Sequence, residues 1–389
     1  MRFCRQLAAA LLSLLASGSA LAGDAEDRRL VERLFTATEI EADWFAEAFL
    51  RAVPVIQVRE ILADQRRRYG PPLRVSGERG DFVVWTGAHR IPLRLLRDGS
   101  GRIASLLLRP AEPLEVDLGT TTAALKALPG EVAYLVEQEG EVLAAHRADD
   151  KLAVGSAFKL AVLLALHERI ESAAADWADV IRLKPGHVSL PSGFLQRMPP
   201  GSPLTLHSLA AAMIAESDNT ATDSLIDYLG RESVEGIAGL APLLTTREFF
   251  QLKADPELYE DYTRRDLAGR RGLLSDLAGR PLPPVARVMT PWRPEAEWLM
   301  SVRSLCRIIE RVGDLDLFRI NPGLADASAW ARIAYKGGSE TGVVNMTTLV
   351  TDESGRRSCV VATWNDSAAL DETRFHELYR GLLLALRRG

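Results

Sequence analysis

Histidine and cysteine are scarce in this sequence, and their placement argues against a metal site. The 389 residues include three cysteines and six histidines. A zinc site would need paired histidines at ligand spacing, whereas the histidines are scattered over positions 89, 146, 167, 187, 207 and 376. The sequence also lacks a Gly-x-Ser-x-Gly turn and a glycine-rich loop that could hold a phosphate. We therefore expect no metal and no cofactor.

An excess of charge of one sign is also missing. The chain has 47 Lys and Arg against 52 Asp and Glu, a net charge of −5, which gives no electrostatic reason to expect nucleic acid as a partner. Hydrophobic residues make up 47% of the composition, so a sizeable core is expected. The length suits two or three domains.

Only the N-terminus has the pattern of a targeting segment. Arg2 and Arg5 precede an apolar stretch over residues 7–15, and Ala20-Leu21-Ala22 supplies small residues at a cleavage site before Gly23. This pattern predicts a secretory signal peptide over residues 1–22. A membrane anchor is the alternative, although the stretch is short for a bilayer. The mature protein would have no stable membrane span.

Two cysteines would remain after cleavage, Cys306 and Cys359. In an oxidising compartment they could pair, and two buried thiols are an equal alternative.

The residues after the leader predict a small α+β domain over residues 23–113. Apolar residues recur at three- and four-residue steps from Asp24 to about Arg51, and again from Val58 to Tyr69, which predicts two helices. Short alternating segments follow, which predict antiparallel strands joined by hairpin turns. They lie at 82–85, 91–95 and 103–108, and Pro110 to Pro113 is the expected linker.

The rest of the chain, 114–389, predicts a second α+β domain with strands near both of its ends. The expected helices lie at 122–128, 204–216, 298–312 and 372–388, and the expected strands at 132–138, 142–146, 332–336, 343–351 and 357–364. Residues 230–282 are charged and rich in Gly and Leu, and their pattern predicts no definite elements.

The most informative stretch is Gly155-Ser156-Ala157-Phe158-Lys159, at the start of an apolar run. The run predicts a buried helix, and residues three apart share one helical face, so Ser156 and Lys159 would point the same way. Burial and the positive helix N-terminus both lower the pKa of a lysine. A neutral Lys159 could take the proton of Ser156 and make it a nucleophile.

Two further motifs follow in a defined order. Ser217-Asp218-Asn219 is expected on a turn between helices, and Lys336-Gly337-Gly338-Ser339 on a strand. S-x-x-K, S-D-N and K-T-G form the motif set of class A β-lactamases and penicillin-binding proteins. The chain resembles this superfamily over about its last 270 residues. The resemblance implies an antiparallel sheet that pairs both ends of the domain beside a helical half. The first domain resembles a nuclear-transport-factor-like (NTF2-like) module.

The superfamily resemblance implies a role for each motif residue. Ser156 would attack the substrate carbonyl and Lys159 would accept its proton, directly or through water. Ser217 would pass a proton to the leaving nitrogen, and Lys336 would attract a substrate carboxylate and polarise Ser217. Asn219 would hold Lys159 and bind the substrate amide. The oxyanion would be held by backbone N–H groups of Ser156 and Ser339, beside Gly338.

The sequence departs from the superfamily at two points. Gly337 stands where Ser or Thr is usual, so a hydroxyl that grips the substrate carboxylate is missing, and Arg332 or another arginine could compensate. Glu340 would place a carboxylate near the substrate channel. For the base that activates the deacylating water, Glu248 is the first candidate and Asp255 the second, with surface charge as the alternative for both.

The sequence therefore predicts a secreted or periplasmic bacterial serine hydrolase of the class A β-lactamase type, acting on a small molecule such as a β-lactam, peptide or ester. Two alternatives stay open. One is a penicillin-binding D-Ala-D-Ala carboxypeptidase or esterase with slow deacylation, and the other is a non-catalytic cell-wall binding protein.

Overall fold

The structure, a computed structural model, describes residues 23–109, 111–290 and 293–387. The predicted signal peptide lies outside these residues. The chain divides between Val116 and Asp117 into two compact units. Among the described residues, no helix is long and apolar enough to cross a membrane.

The first unit begins with three helices. Helix α1 covers residues 23–36, α2 Glu47–Ala52 and α3 Val55–Tyr69. The helix predicted from Asp24 to Arg51 is therefore interrupted. Phe45 forms a parallel bridge with Ile103, and the Ala46 N–H donates to the Ile103 carbonyl at 2.9 Å. This pairing with a strand replaces the intrahelical hydrogen bonds that the periodicity predicts.

An antiparallel meander completes the first unit. Its strands are β1 Arg74–Glu78, β2 Asp81–Trp85, β3 His89–Arg97, β4 Ile103–Leu108 and β5 Glu112–Pro113. Strands β1 to β4 lie in chain order and β5 pairs with β3. Strands β1 and β5 are additions to the three predicted strands, and β5 lies within the expected linker.

The second unit is built on a five-stranded antiparallel sheet. Its strands are β6 Glu131–Gln138, β7 Glu141–His146, β12 Arg332–Glu340, β13 Val343–Thr351 and β14 Arg357–Asn365, in the order β12-β13-β14-β6-β7. Strands from the beginning and the end of the unit meet where β6 pairs with β14. Four short strands form two pairs beside it: β8 Leu152–Ala153, β9 Val180–Arg182, β10 Pro203–Thr205 and β11 Leu299–Met300.

Helices lie on both faces of this sheet and form a helical half beside it. They are α4 Leu118–Lys126, α5 Lys159–Glu171, α6 Leu206–Ala215, α7 Asn219–Leu229, α8 Arg231–Ala238, α9 Thr246–Ala254, α10 Pro256–Arg264, α11 Leu267–Leu277, α12 Val302–Val312 and α13 Glu372–Leu386. Alternate residues of each strand enter opposite cores: Val360 packs in the core with α13, and its neighbour Val361 in the core with α5. The α+β class is confirmed, and residues 230–282, for which the sequence predicts no definite elements, contain the four helices α8 to α11.

Helix α5 lies in the interior of the unit, as its apolar run predicts. Its first eight residues, Lys159 to Leu166, are all buried. Strand β12 is the edge strand nearest to it, so one edge of the sheet faces the start of α5. The sulfurs of Cys306 and Cys359 are joined, which selects the paired state of the two alternatives.

Candidate active site

A cavity of about 830 Å³ lies between the edge strand β12 and the helical half. Most of the site residues predicted from the sequence line it: Ser156, Ser217, Asn219, Lys336, Gly338 and Ser339. Phe249, Phe250 and Met289 add an apolar side to the same cavity.

Ser156 lies on a 3₁₀ turn, Gly155–Phe158, that runs directly into α5. The turn is held by Phe158, whose ring stacks on Trp298 with centroids 4.2 Å apart. Ser156 is partly exposed to the cavity, and its hydroxyl makes no hydrogen bond to the residues that the structure describes. A substrate carbonyl could therefore approach it without displacing a protein partner.

Lys159 is fully buried beneath Ser156 and is held by the S-D-N turn. Its Nζ donates to the Ser217 carbonyl at 2.5 Å and to Asn219 Oδ1 at 2.6 Å, and it lies 3.2 Å from Ser217 Oγ. A neutral amine has two N–H donors and one lone pair. The two carbonyl contacts use both donors, which leaves the lone pair available to accept a proton from a neighbouring hydroxyl such as that of Ser217.

The S-D-N turn is held in shape by its middle residue. Asp218 is completely buried, and its carboxylate accepts hydrogen bonds from the backbone N–H groups of Phe194 at 2.7 Å, Leu195 at 2.9 Å and Ala221 at 2.9 Å. The last of these caps the N-terminus of α7. Ser217 has φ 55°, a left-handed conformation that is uncommon for serine and costs about 1–3 kcal/mol where it occurs. The cap holds Ser217 in that conformation, with its hydroxyl in the cavity.

Lys336 reaches the same hydroxyl from the sheet. Its Nζ donates to Ser217 Oγ at 3.0 Å and to the Gly337 carbonyl at 2.5 Å, and the residue is 3% exposed. Burial lowers the pKa of Lys336 to about 7. Burial, and secondly the Lys336 charge, hold the pKa of Lys159 well below its usual value. The lowered pKa of Lys159 favours its neutral amine, which is the form that can act as a base.

Asp223, which sequence analysis missed, is a second buried carboxylate whose charge acts on Lys159. It accepts from the backbone N–H groups of Thr246 at 2.7 Å and Arg247 at 2.9 Å. Burial raises its pKa to about 7. Its charge and that of Asp218 oppose the fall in the pKa of Lys159. Nothing in the sequence around Asp223 distinguishes it from an ordinary helix residue.

Two glycines allow the start of α5 and the strand β12 to touch backbone to backbone. A Cβ on Gly338 would lie 2.6 Å from the Ser156 nitrogen, and a Cβ on Gly155 would lie 3.1 Å from the Ser339 nitrogen. No side chain fits at Gly338 at that distance. The arrangement brings the backbone nitrogens of Ser156 and Ser339 to the same narrow gap at the cavity, as an oxyanion site requires.

The structure does not bring Glu248 or Asp255 to this cavity. Glu248 accepts from both terminal nitrogens of Arg231, at 2.9 and 2.6 Å, and closes a capping box with Thr245 at the start of α9. Asp255 caps α10 through a hydrogen bond from the Leu258 N–H at 3.1 Å. Neither side chain lines the cavity. Both carboxylates accept backbone hydrogen bonds at the N-terminus of a helix.

Arg332 is also far from Gly337, at the other end of β12. Five residue steps along the strand separate them, about 16 Å. The Arg332 guanidinium lies 3.5 Å from an oxygen of Asp314 and 3.9 Å from one of Asp316. It does not compensate for the missing hydroxyl.

Glu340 does line the cavity, but its carboxylate interacts with other side chains of the protein. It is paired with Lys253 and lies within hydrogen-bond reach of the buried Glu297. Burial, and secondly the Glu340 charge, raise the pKa of Glu297 well above its usual value. Sequence analysis missed Lys253 and Glu297, since they come from separate parts of the chain.

One group of metal-ligand side chains occurs among the described residues. Glu137, Cys306 and Glu310 place ligand atoms within 4.8 Å of one another. The Cys306 sulfur is joined to Cys359, so it is not a free ligand. None of the three lines the cavity.

Comparisons with known proteins agree with this geometry. The model of the Beta-lactamase enzyme family matches residues 120–264, which include Ser156, Lys159, Ser217 and Asn219. The second unit is a β-lactamase-like serine hydrolase domain. No curated protein sequence matches the chain.

Solved structures show the fold of this β-lactamase-like domain. A β-lactamase from Desulfarculus baarsii is 18% identical, with a TM-score of 0.50 over 70% of this chain and 99% of that one. A mutant of the class A β-lactamase of the last common ancestor of Gram-negative bacteria is 14% identical, with a TM-score of 0.50 over 69% and 96%. The structure of PBP-A is 17% identical, with a TM-score of 0.49 over 70% and 96%.

Proposed function

We propose that the β-lactamase-like domain is of the class A type and is acylated at Ser156 by β-lactams or by related amides and esters. One observation carries this proposal: the Ser217 hydroxyl lies within 3.2 Å of Lys159 and 3.0 Å of Lys336, at a cavity that also contains Ser156. Motif residues with purely structural roles would not need to bury two lysines around one hydroxyl.

In the proposed acylation, the Ser156 oxygen attacks the substrate carbonyl carbon while its proton passes to neutral Lys159, directly or through water. The carbonyl oxygen becomes an oxyanion held by the backbone N–H groups of Ser156 and Ser339. When the carbon–nitrogen bond of an amide breaks, the leaving nitrogen takes the Ser217 proton. Ser217 recovers a proton from the lysines that flank it. Asn219 keeps Lys159 in place.

Hydrolysis needs a second step, in which water attacks the acyl-enzyme. In many enzymes a positioned carboxylate activates such a water, and here Glu248 is bound to Arg231 and Asp255 caps a helix. This favours a second candidate function for the same site: a penicillin-binding protein or esterase in which the acyl group leaves slowly. Both candidates share acylation at Ser156 and differ only in the lifetime of the acyl-enzyme.

The intact mass of the protein, followed over time with a penicillin, tests both candidates. A mass increase that appears and then disappears supports a β-lactamase, and a persistent increase supports the slow-deacylating enzyme. Ser156→Ala is the control and should gain no mass. A wild-type protein that gains no mass from penicillin and is not labelled by a fluorophosphonate would remove the proposal.

We further propose that residues 1–22 direct export and that the first unit is NTF2-like. The helices α1 to α3 followed by an antiparallel meander support the second point. The N-terminal sequence of the protein recovered from a bacterial periplasm tests the first, since export with cleavage would give a chain that starts at Gly23.

A further inference from the structure

The position of Tyr335 bears on the hydroxyl missing at Gly337. The two residues are two positions apart on β12, so their side-chain positions lie on the same face of the strand. A Cβ built on Gly337 would lie 2.2 Å from the Tyr335 Oη. The tyrosine hydroxyl therefore occupies the space that a serine or threonine side chain at this position would take.

The rest of the Tyr335 side chain is held in place by a second glycine. A Cβ on Gly323, which has φ 62°, would meet the Tyr335 ring at 2.4 Å, so the ring packs directly against the Gly323 backbone. Gly323 and Gly337 together leave a slot that fits the whole phenol. A side chain at either position would displace it.

The Tyr335 hydroxyl is free to bind a ligand. Tyr335 lines the cavity beside Ser339, and its hydroxyl makes no hydrogen bond to the residues that the structure describes. Burial raises its pKa to about 12, so the phenol keeps its proton and remains a neutral donor at any physiological pH.

The charges around this hydroxyl do not favour an anionic group. No arginine occurs among the described residues that line the cavity, which include the carboxylates Glu216 and Glu372, and also Glu340, which is paired with Lys253. Lys336 is the nearest cation on the strand, but its amine already donates to Ser217 and to the Gly337 carbonyl. A carboxylate beside Gly337 would therefore lack the bidentate cation that usually binds it.

We propose that the Tyr335 hydroxyl is the donor that binds the substrate beside Gly337, and that it selects an uncharged carbonyl, such as that of an ester, over a carboxylate. The inference rests on the proposed acylation of Ser156, whose substrate class it narrows. A single neutral hydrogen bond discriminates modestly, by about 3- to 10-fold.

The test compares benzylpenicillin with its methyl ester, in which an added methyl group removes the charge of the carboxylate that would face Tyr335. The second-order rate constant of Ser156 acylation is measured by intact mass, together with its separation into binding and chemical steps. The wild type should react with the ester at least as fast as with the free acid. In Tyr335→Phe, the second-order rate constant for acylation by the ester should fall by about 3- to 10-fold, mainly through weaker binding. The ratio of the ester rate constant to the acid rate constant should therefore fall as well.

Two further variants separate binding from packing. Tyr335→Leu combined with Gly337→Ser removes the phenol and returns a hydroxyl to the same space, so it should recover the rate lost in Tyr335→Phe. Tyr379→Phe removes a tyrosine hydroxyl that is already hydrogen-bonded within the protein, at 2.7 Å to Thr348 Oγ1 and 2.7 Å to the Val360 carbonyl. It should lower stability and leave the ester-to-acid ratio unchanged.

Wild-type acylation that is faster with the free acid than with the methyl ester would overturn the inference, and so would an unchanged ester-to-acid ratio in Tyr335→Phe. In both cases Ser156 is still acylated, so the proposed function survives. If neither penicillin nor a fluorophosphonate modifies Ser156, the proposed function fails and the inference fails with it.

Discussion

Lys159 and Lys336 converge on one oxygen, the hydroxyl of Ser217, at 3.2 and 3.0 Å. One lysine comes from the start of a central helix and the other from the edge of the sheet. Two buried ammonium groups this close would repel each other, and this repulsion contributes to the low pKa of Lys159. The arrangement is stable when one of the two amines is neutral, which gives the pair one acid and one base across Ser217.

Removing the Ser217 hydroxyl should remove the group that connects Lys159 and Lys336 and passes a proton to the leaving nitrogen. We expect Ser217→Ala to slow acylation by penicillin by about 10²- to 10⁴-fold, the range typical for a positioned proton-transfer group. Because residue 217 has φ 55°, alanine keeps the backbone strain, whereas Ser217→Gly relieves it. Both variants should be equally slow, and the glycine variant should melt at a higher temperature. A fast glycine variant would show that Ser217 acts through the turn conformation and not through its hydroxyl.

The acylation rate should follow a bell-shaped pH profile. On the acidic side, the rate rises with pH as Lys159 loses its proton and becomes a base. On the alkaline side, it falls near pH 7 as Lys336, with its pKa of about 7, loses the charge that polarises Ser217. Single-turnover acylation measured up to pH 9 would show the alkaline limb, and its extension to the lowest pH at which the protein stays folded would locate the acidic one.

Lys336→Arg provides the control for this assignment. A guanidinium stays charged throughout this pH range, so the alkaline limb should move above pH 9 even if the overall rate drops. An alkaline limb that stays near pH 7 in Lys336→Arg would belong to another group, and Asp223, whose pKa is also about 7, would be the first to examine.

The sequence predicted which motif residues lie together better than it predicted their surroundings. Ser156, Ser217 and Lys336 come together because motif order and the helix and strand periods already encode their placement. The helix break between residues 36 and 47 depends on a strand from another part of the chain, which local periodicity does not contain. The hydroxyl of Tyr335 beside Gly337 likewise depends on a packed tertiary structure.

The role of Glu248 could have been inferred from the sequence. Thr245 and Glu248 have the spacing of a capping box, in which the side chain of the third helical residue returns to the N-cap backbone. That pattern predicts a helix start, and the structure has α9 beginning at Thr246. Arg231, which holds the same carboxylate, could not have been identified without the fold.

The contact between Gly338 and the start of α5 should not tolerate a side chain. In Gly338→Ala the new Cβ would lie 2.1 Å from the Val154 carbonyl and 2.6 Å from the Ser156 nitrogen, both backbone atoms. We expect the acylation rate to fall by about 10²-fold or more, since the oxyanion donors would be displaced.

Gly236→Ala is the matched control, because its Cβ has no neighbour within 4 Å. It lies in α8 and should be active and stabilised by about 0.5–1 kcal/mol. A Gly338→Ala variant that is acylated as fast as the wild type would exclude this oxyanion site.

Glu297 should reduce stability as the pH rises. Its pKa is raised in the folded state, so the carboxyl is protonated at a pH where the unfolded chain has lost the proton. Its stability contribution is therefore most favourable below the unfolded pKa and decreases as the pH rises towards the folded one. Glu297→Gln imitates the neutral form and should melt about 2–4 °C higher at pH 8, which corresponds to about 1 kcal/mol, with a smaller gain at pH 4. The exposed Glu353→Gln should show no gain at either pH. An equal gain for Glu297→Gln at pH 4 and pH 8 would contradict the assignment.

Glu248 should matter for stability and not for deacylation. Its carboxylate holds Arg231 with two hydrogen bonds and also caps α9, so Glu248→Gln leaves a partly buried guanidinium with a weakened partner. We expect a loss of about 2–3 kcal/mol in the free energy of unfolding, measured in urea. The lifetime of the acyl-enzyme, followed by intact mass, should stay within about 3-fold of wild type, because the side chain does not line the cavity.

Arg231→Met is the matched partner variant. If the pair is structural, this variant should lose a similar free energy of unfolding and also keep the acyl-enzyme lifetime. A Glu248→Gln protein that unfolds like wild type but holds its acyl group about 100-fold longer would instead identify Glu248 as the deacylating base.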